Sequence, residues 1–182
     1  RSVSLFPSAS ASYATRFSSV ITRRPDASAI NGIRAQNLGL VDINLMAKQH
    51  RDYQNALRQA GAVVTELPAL PDFPDAQFVE DTALCLPQLA VMMRPAITTR
   101  MGEVAPMRRT LSEIFDDITD ITSGFIEAGD ILVTPSEILV GLSARTDPIG
   151  ANQLQMILNK KTIFFHFNTK SLIPSLNVNS PK

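Results

Sequence analysis

The sequence predicts a mixed α/β fold, and two observations carry that reading. Between Asp42 and Ala60, apolar residues recur at three, four and seven residue spacings, the period of one helix face. At 83–93 and again at 131–142, two short apolar runs flank a few turn residues, the pattern of a hairpin. Strand, hairpin and helix units repeat loosely along the chain, and periodicity alone takes the architecture no further.

In chain order, Phe17 to Thr22 alternates weakly and reads as a first strand, ended by Arg23-Arg24-Pro25. Asn31-Gly32 is a turn signal, with Ile33 just behind it. Asp42 caps a helix to about Ala60, whose apolar face carries Met46, Tyr53, Leu57 and Ala60, and Gly61 stops it. Val63-Val64 opens a strand that Pro68 terminates. The runs Ala83 to Leu86 and Leu89 to Met93, split by Pro87-Gln88, form a hairpin. Glu103 to Phe115 reads as a second helix provided that Pro106 lies in its first turn. Ile118 and Ile121 mark a strand leading to Gly124. Ile131 to Val133 and Ile138 to Leu142 pair around Pro135-Ser136-Glu137, and Asn152 to Leu158 reads as a third helix. His50 falls on the polar side of the first helix as a solvated histidine. Cys85 lies among apolar neighbours, as expected of a buried, inert thiol rather than a nucleophile.

Composition excludes several function classes. The 182 residues, 45% apolar and 19% charged, suffice for one domain with a real core. Seventeen basic and seventeen acidic residues cancel, which gives no electrostatic case for nucleic acid or a membrane surface as partner. One cysteine rules out an internal disulfide framework, and two histidines, His50 and His166, argue against a zinc cluster. No run approaches the roughly eighteen apolar residues of a membrane span.

The two ends depart from the middle. Residues 1–25 hold seven serines, four arginines and no acid, a balance seen in organelle transit peptides, although a disordered leader without an address has the same composition. The compartment expected is cytoplasmic, with organelle targeting by this leader as the alternative. Past Leu158 the usage changes: four of the five lysines lie in the last 23 residues, and no acid follows Asp147. A shifted reading frame, an alternative exon or unspliced sequence accounts for the change, and a genuine basic tail is the alternative. The division expected is a leader over 1–16, a domain over 17–158 and an atypical tail over 159–182.

The chemistry concentrates in three stretches. Phe73-Pro74-Asp75-Ala76-Gln77-Phe78-Val79-Glu80-Asp81 places three carboxylates around two rings just before an apolar strand. Carboxylates at the mouth of a buried strand persist where a cation or several donors satisfy them, so the cluster suggests a site for a cationic group; a solvated capping loop is the plain alternative. Ile126-Glu127-Ala128-Gly129-Asp130 stands before the next apolar run, and Gly141-Leu142-Ser143-Ala144-Arg145-Thr146-Asp147 closes the one after it. Acid, acid and arginine recur at strand ends.

With Arg94-Pro95 and Arg100-Met101-Gly102-Glu103 between them, these motifs, from about Ile21 to about Ile157, resemble the dimethylarginine dimethylaminohydrolases. Those enzymes belong to the guanidino-modifying superfamily that also holds the arginine deiminases and amidinotransferases. The resemblance implies a pentein-type α/β propeller of ββαβ blades, about three of five being present. It implies hydrolysis of N-methylated arginine to citrulline and methylamine or dimethylamine, through a covalent cysteine intermediate, with no metal or other cofactor.

Residue by residue, Asp81 and Glu127 match the family's guanidinium-holding acids. A planar guanidinium presents paired donors that two carboxylates can hold. Arg100 and Arg145 match positions that grip the substrate carboxylate, a surface ion pair being the alternative. Asp75 and Phe78 match positions near the substrate, Glu80 a further pocket acid, and Ile33 a covering loop unless it simply docks on the core. The family's nucleophile lies beyond the last residue here, so the chain is expected to lack hydrolase activity alone. His166, within Phe165-His166-Phe167-Asn168-Thr169-Lys170, resembles the general base but comes earlier than the family spacing, and a chance match is the alternative. Other readings are an arginine deiminase or amidinotransferase relative, a non-catalytic guanidino binder, and an unfolded fragment with open sheet edges. The partner implied is a small guanidino molecule, and homo-oligomerisation is left open.

Overall fold

Two antiparallel strands, a helix and a third strand parallel to the second make up the repeating unit of this fold, seen in a computed structural model. Residues 17–34, 36, 39–134 and 137–161 are described, together with the backbone of 166–170. In the second unit β3 (Ala83–Leu86) pairs antiparallel with β4 (Leu89–Met92), and the chain crosses through two short helices, α2 (Thr98–Met101) and α3 (Val104–Leu111), to β5 (Ile118–Asp120), parallel to β4. In the third unit β6 (Ile131–Val133) pairs antiparallel with β7 (Glu137–Gly141), and α4 (Pro148–Lys160) leads to β8 (His166–Lys170), parallel to β7. The first unit has β1 (Ser19–Arg23), α1 (Ile43–Gln59) and β2 (Val63–Leu67), with β1 and β2 parallel in a two-stranded sheet. These are the ββαβ units expected of the fold class, the first of them lacking an antiparallel strand among the described residues.

Local chemistry sets the boundaries. The Asp42 carboxylate accepts the Leu45 N–H at 3.0 Å to cap α1, and Gly61, at φ 93°, carries the chain away from its end. Asp147 accepts the Gly150 N–H at 2.7 Å, and Pro148 opens α4, which makes that helix longer than the stretch from Asn152 to Leu158 that spacing alone marks. The helix expected from Glu103 to Phe115 is shorter: α3 ends at Leu111, whose carbonyl then accepts the N–H groups of Ile114 and Phe115 in closing turns. Pro106 does lie in its first turn.

Strand β4 is buried on both faces. Leu89, Val91 and Met93 enter one cluster with Leu84, Leu86, Ile126, Ile138, Val140 and Leu154. Ala90 and Met92 enter a second with Met107 and Leu111, against which Ile21 and Leu67 of the first unit pack. Period-two alternation thus feeds two cores from one strand.

Three side chains correct the sequence reading. Tyr53 is exposed, and the buried position on α1 is its neighbour Gln54, because a two-stranded sheet offers this helix little apolar cover. Gln54 Nε2 lies 2.9 Å from Thr22 Oγ1, 2.8 Å from Glu66 Oε1 and 3.0 Å from His50 Nε2. His50 is therefore partly buried rather than solvated, and desolvation pushes its pKa down, with Glu66 opposing. Cys85 is exposed rather than buried, since Leu84 and Leu86 take the core face of β3. Desolvation nonetheless pushes its thiol above the usual range, which lowers the fraction present as thiolate.

The turn at Pro135-Ser136, the leader over 1–16 and most of the atypical tail lie outside the described residues. No described helix is long and apolar enough to cross a membrane.

Candidate functional site

Successive tight turns deliver the first acids. Phe73, Ala76, Phe78 and Asp81 each donate a backbone N–H to the carbonyl three residues earlier, at 3.0 to 3.3 Å, and the last turn runs into β3. Two prolines and small residues fit such a chain of turns, as an extended strand would not. The equivalent bend before β6 is the short 3-10 turn Ala128–Asp130, with Glu127 just ahead of it. Asp81, within its turn, and Glu127, at the start of its own, both stand close before the first strand of a unit. The turns pack so closely that a Cβ on Gly129 would run into the Asp81 carboxylate.

Two arginines meet these acids from other elements. Arg100, on α2, is buried, and its Nη1 donates to Asp81 Oδ2 at 2.6 Å. Its Nη2 donates to Glu103 Oε2 at 2.8 Å and to the Phe78 carbonyl at 3.2 Å. Burial alone would weaken its charge, but the Glu103 and Asp81 hydrogen bonds more than offset this, and its pKa lies above the ordinary arginine value. Arg145, beyond β7, is 43% exposed; its Nη1 donates to Glu127 Oε2 at 3.0 Å, and its Nη2 lies 3.6 Å from Asp130 Oδ1. Ser143 Oγ and Thr146 Oγ1 donate to Asp130 Oδ2 at 2.8 and 2.7 Å, which fixes the loop that carries Arg145.

These groups surround a cavity of about 370 Å³ lined by Ile33, Asp75, Phe78, Glu80, Asp81, Ile97, Arg100, Glu127, Gly129 and Arg145. Asp75 accepts the Ile33 N–H at 3.1 Å, tying the loop after Asn31-Gly32 to the acidic stretch. Glu127 is fully buried, and its Oε1 has no hydrogen-bond partner among the described residues. Desolvation pushes its carboxyl above the usual carboxylate range; Arg145 opposes the shift and Asp81 adds to it. Glu80 is pushed the same way, again by burial first.

Every sequence-predicted site residue except His166 therefore lines one cavity. His166 opens β8 with its backbone opposite Glu137, and its side chain lies outside the described residues. Cys85 does not line the cavity. Sequence reasoning missed Glu103 and Asp130, whose work is to hold the arginines. Their signal was an acid placed three residues after a site residue, Arg100 in one case and Glu127 in the other.

Comparison with known proteins agrees with this geometry. Residues 68–169 match the arginine deiminase family. The dimethylarginine dimethylaminohydrolase of Pseudomonas aeruginosa is 34% identical over 79% of this chain and 58% of its own length. That of Streptomyces coelicolor is 29% identical over 63% of this chain and 45% of its own. A solved structure of the Pseudomonas aeruginosa enzyme, a cysteine-to-serine variant complexed with citrulline, superimposes with a TM-score of 0.81 at 32% identity, covering 86% of this chain and 62% of that one. The N-terminal domain of ArgZ, a cyanobacterial arginine dihydrolase, shares the fold at a TM-score of 0.74 and 17% identity. The chain spans about three fifths of the length of the Pseudomonas aeruginosa enzyme and less than half of that of the Streptomyces coelicolor one. By the family match over 68–169, and by site motifs that converge on one cavity, the chain belongs to the arginine deiminase family of guanidino-modifying proteins, with dimethylarginine dimethylaminohydrolases among its relatives.

Proposed function

We propose that this chain carries the guanidino-binding part of a dimethylarginine dimethylaminohydrolase. The observation that supports this best is Glu127: a fully buried carboxylate at the wall of a cavity, with Oε1 unpartnered among the described residues and Asp81 beside it. A buried, unsatisfied carboxylate oxygen is costly unless a donor arrives, and a cationic ligand with paired N–H groups supplies one. In this reading Asp81 and Glu127 hold the guanidinium. The ligand's ammonium is drawn to Asp75 and its carboxylate to Arg145, the more exposed of the two arginines, while Phe78 and Ile33 cover the methylated end.

Hydrolysis in the longer protein would run through a cysteine thiolate that attacks the guanidino carbon. Dimethylamine leaves with a proton from a general acid, and water then displaces the thiolate to give citrulline. His166 is the candidate acid and base. No thiol lines the cavity among the described residues, so this chain alone binds without turnover. Calorimetric titration of the 182-residue chain with dimethylarginine is expected to show saturable binding that Glu127→Gln abolishes, with no citrulline released on prolonged incubation. Binding unaffected by Glu127→Gln would overturn the assignment of the site, and citrulline release would overturn the claim of inactivity.

A further inference from the structure

We propose that Glu103 sets the charge of this site, holding Arg100 from behind so that Asp81 and Glu127 keep unbalanced negative charge for a cationic ligand. The proposal rests on the guanidino-binding reading above. Glu103 does not line the cavity; it is a positioning residue that acts through Arg100.

Two cations, Arg100 and Arg145, contact two of the four carboxylates that line the cavity, Asp81 and Glu127, while Asp75 and Glu80 stand apart from these pairs. Arg145 faces Glu127, and Arg100 lies 2.6 Å from Asp81 and 3.9 Å from Glu127. At those contacts two guanidinium groups alone would offset two carboxylates, and a third guanidinium seated on Asp81 and Glu127 would gain less. Glu103 breaks that balance. Arg100 Nε lies 3.2 Å from each of its oxygens and Nη2 2.8 Å from Oε2, a forked pairing on the side of Arg100 away from Asp81's contact at Nη1. The turn that joins the two residues is fixed by the Glu103 N–H donating to the Arg100 carbonyl at 3.0 Å.

Glu103 is itself buried, and the groups around it are few. Desolvation pushes its carboxyl up, Arg100 opposes this, and Asp75 and Asp81 add to it. Buried Arg23 of β1 also feels its charge, while donating to the Pro68 carbonyl at 2.8 Å. An acid kept in such a place, one layer behind the cavity, serves the charge balance of Arg100 rather than any contact with the ligand.

The test compares a cationic ligand, dimethylarginine, with a neutral one of similar shape, citrulline, by calorimetry on the full chain. Glu103→Gln is expected to weaken dimethylarginine binding about tenfold or more while leaving citrulline within about threefold, because only the cation feels the lost charge. Glu103→Asp, which keeps the charge, is expected to hold the ratio of the two affinities within about threefold of the unsubstituted chain. All proteins are titrated in one osmolyte buffer that favours the folded state, with a cooperative melt confirmed first. Equal weakening of both ligands by Glu103→Gln, or a ratio that falls as far in Glu103→Asp, would make the role merely structural and overturn the proposal. An unsubstituted chain that binds neither ligand overturns the guanidino reading, and this inference with it.

Discussion

Arg145 places its Nη1 3.0 Å from Glu127 Oε2 and 3.9 Å from Asp81 Oδ2, so a guanidinium from the protein's own chain already rests on the acids assigned to the ligand. A ligand guanidinium must share or displace it. The α-carboxylate of an amino acid ligand gives Arg145 somewhere else to go, and a guanidine without a carboxylate does not. Arg145→Ala is therefore expected to weaken dimethylarginine binding about tenfold or more while strengthening N-methylguanidine binding a few fold. Competition calorimetry with both ligands decides it, and loss of affinity for both alike would refute the displacement.

Glu127 links function and stability in opposite directions. Its folded carboxyl is pushed above the unfolded value by desolvation, so the folded chain binds more protons than the unfolded one in that window. Its contribution to stability accordingly falls as pH rises from the ordinary glutamate value through the raised one, and Glu80 and Glu103 act with the same sign. Glu127→Gln is expected to remove one share of that slope while eliminating ligand binding. Denaturant melts across pH 4 to 8 measure the slope.

Ligand affinity should follow the reverse trend. A cation needs Glu127 ionised, so dimethylarginine affinity is expected to rise with pH until the raised carboxyl has lost its proton and then level off. Neutral citrulline should lack the rise. Parallel titrations at several pH values separate the two.

At Gly129 a single methyl group would reach the site itself. Its missing Cβ leaves room for the Asp81 carboxylate, which Arg100 pins from the other side. Gly129→Ala is expected to destabilise the fold by about 1–3 kcal/mol and to weaken dimethylarginine binding at least tenfold. An unchanged melt and affinity would show that the carboxylate can step aside.

On α1, Gln54 is the polar anchor. Gln54→Leu leaves Glu66 and Thr22 short of a partner and is expected to cost about 1–3 kcal/mol in a thermal melt. Because His50 has a lowered pKa in the fold, its own contribution to stability is expected to shrink as pH falls below 6.5, the ordinary value for that residue, opposite in sign to that of the three glutamates.

How much of this was legible in the sequence depended on the kind of signal. Caps and breakers such as Asp42, Gly61, Pro68 and Pro106 located the helix and strand ends, since they act on their own neighbourhood. The acids Asp81 and Glu127 were visible because each stands directly before an apolar strand. Tyr53 misled because helical spacing shows which residues share a face without showing what that face meets, and here it meets a narrow sheet. Cys85 misled because apolar neighbours in a strand put alternate residues on opposite sides. The pairing of Glu103 with Arg100 has a local signal in its three-residue spacing, but what that pairing serves depends on Arg100 reaching Asp81, nineteen positions away, which the spacing does not record.

Strand β4 has a consequence for cooperativity. Since Leu89, Val91 and Met93 anchor one core while Ala90 and Met92 anchor the other, neither core can open without pulling on the same backbone. The second and third units are therefore expected to open together, with the amides of β4 among the slowest to exchange. The first unit adds only partly buried apolar residues, Ile21 and Leu67, to the shared core, with buried Arg23 and the Ile33–Asp75 hydrogen bond as its polar ties, so it is the unit expected to fray first.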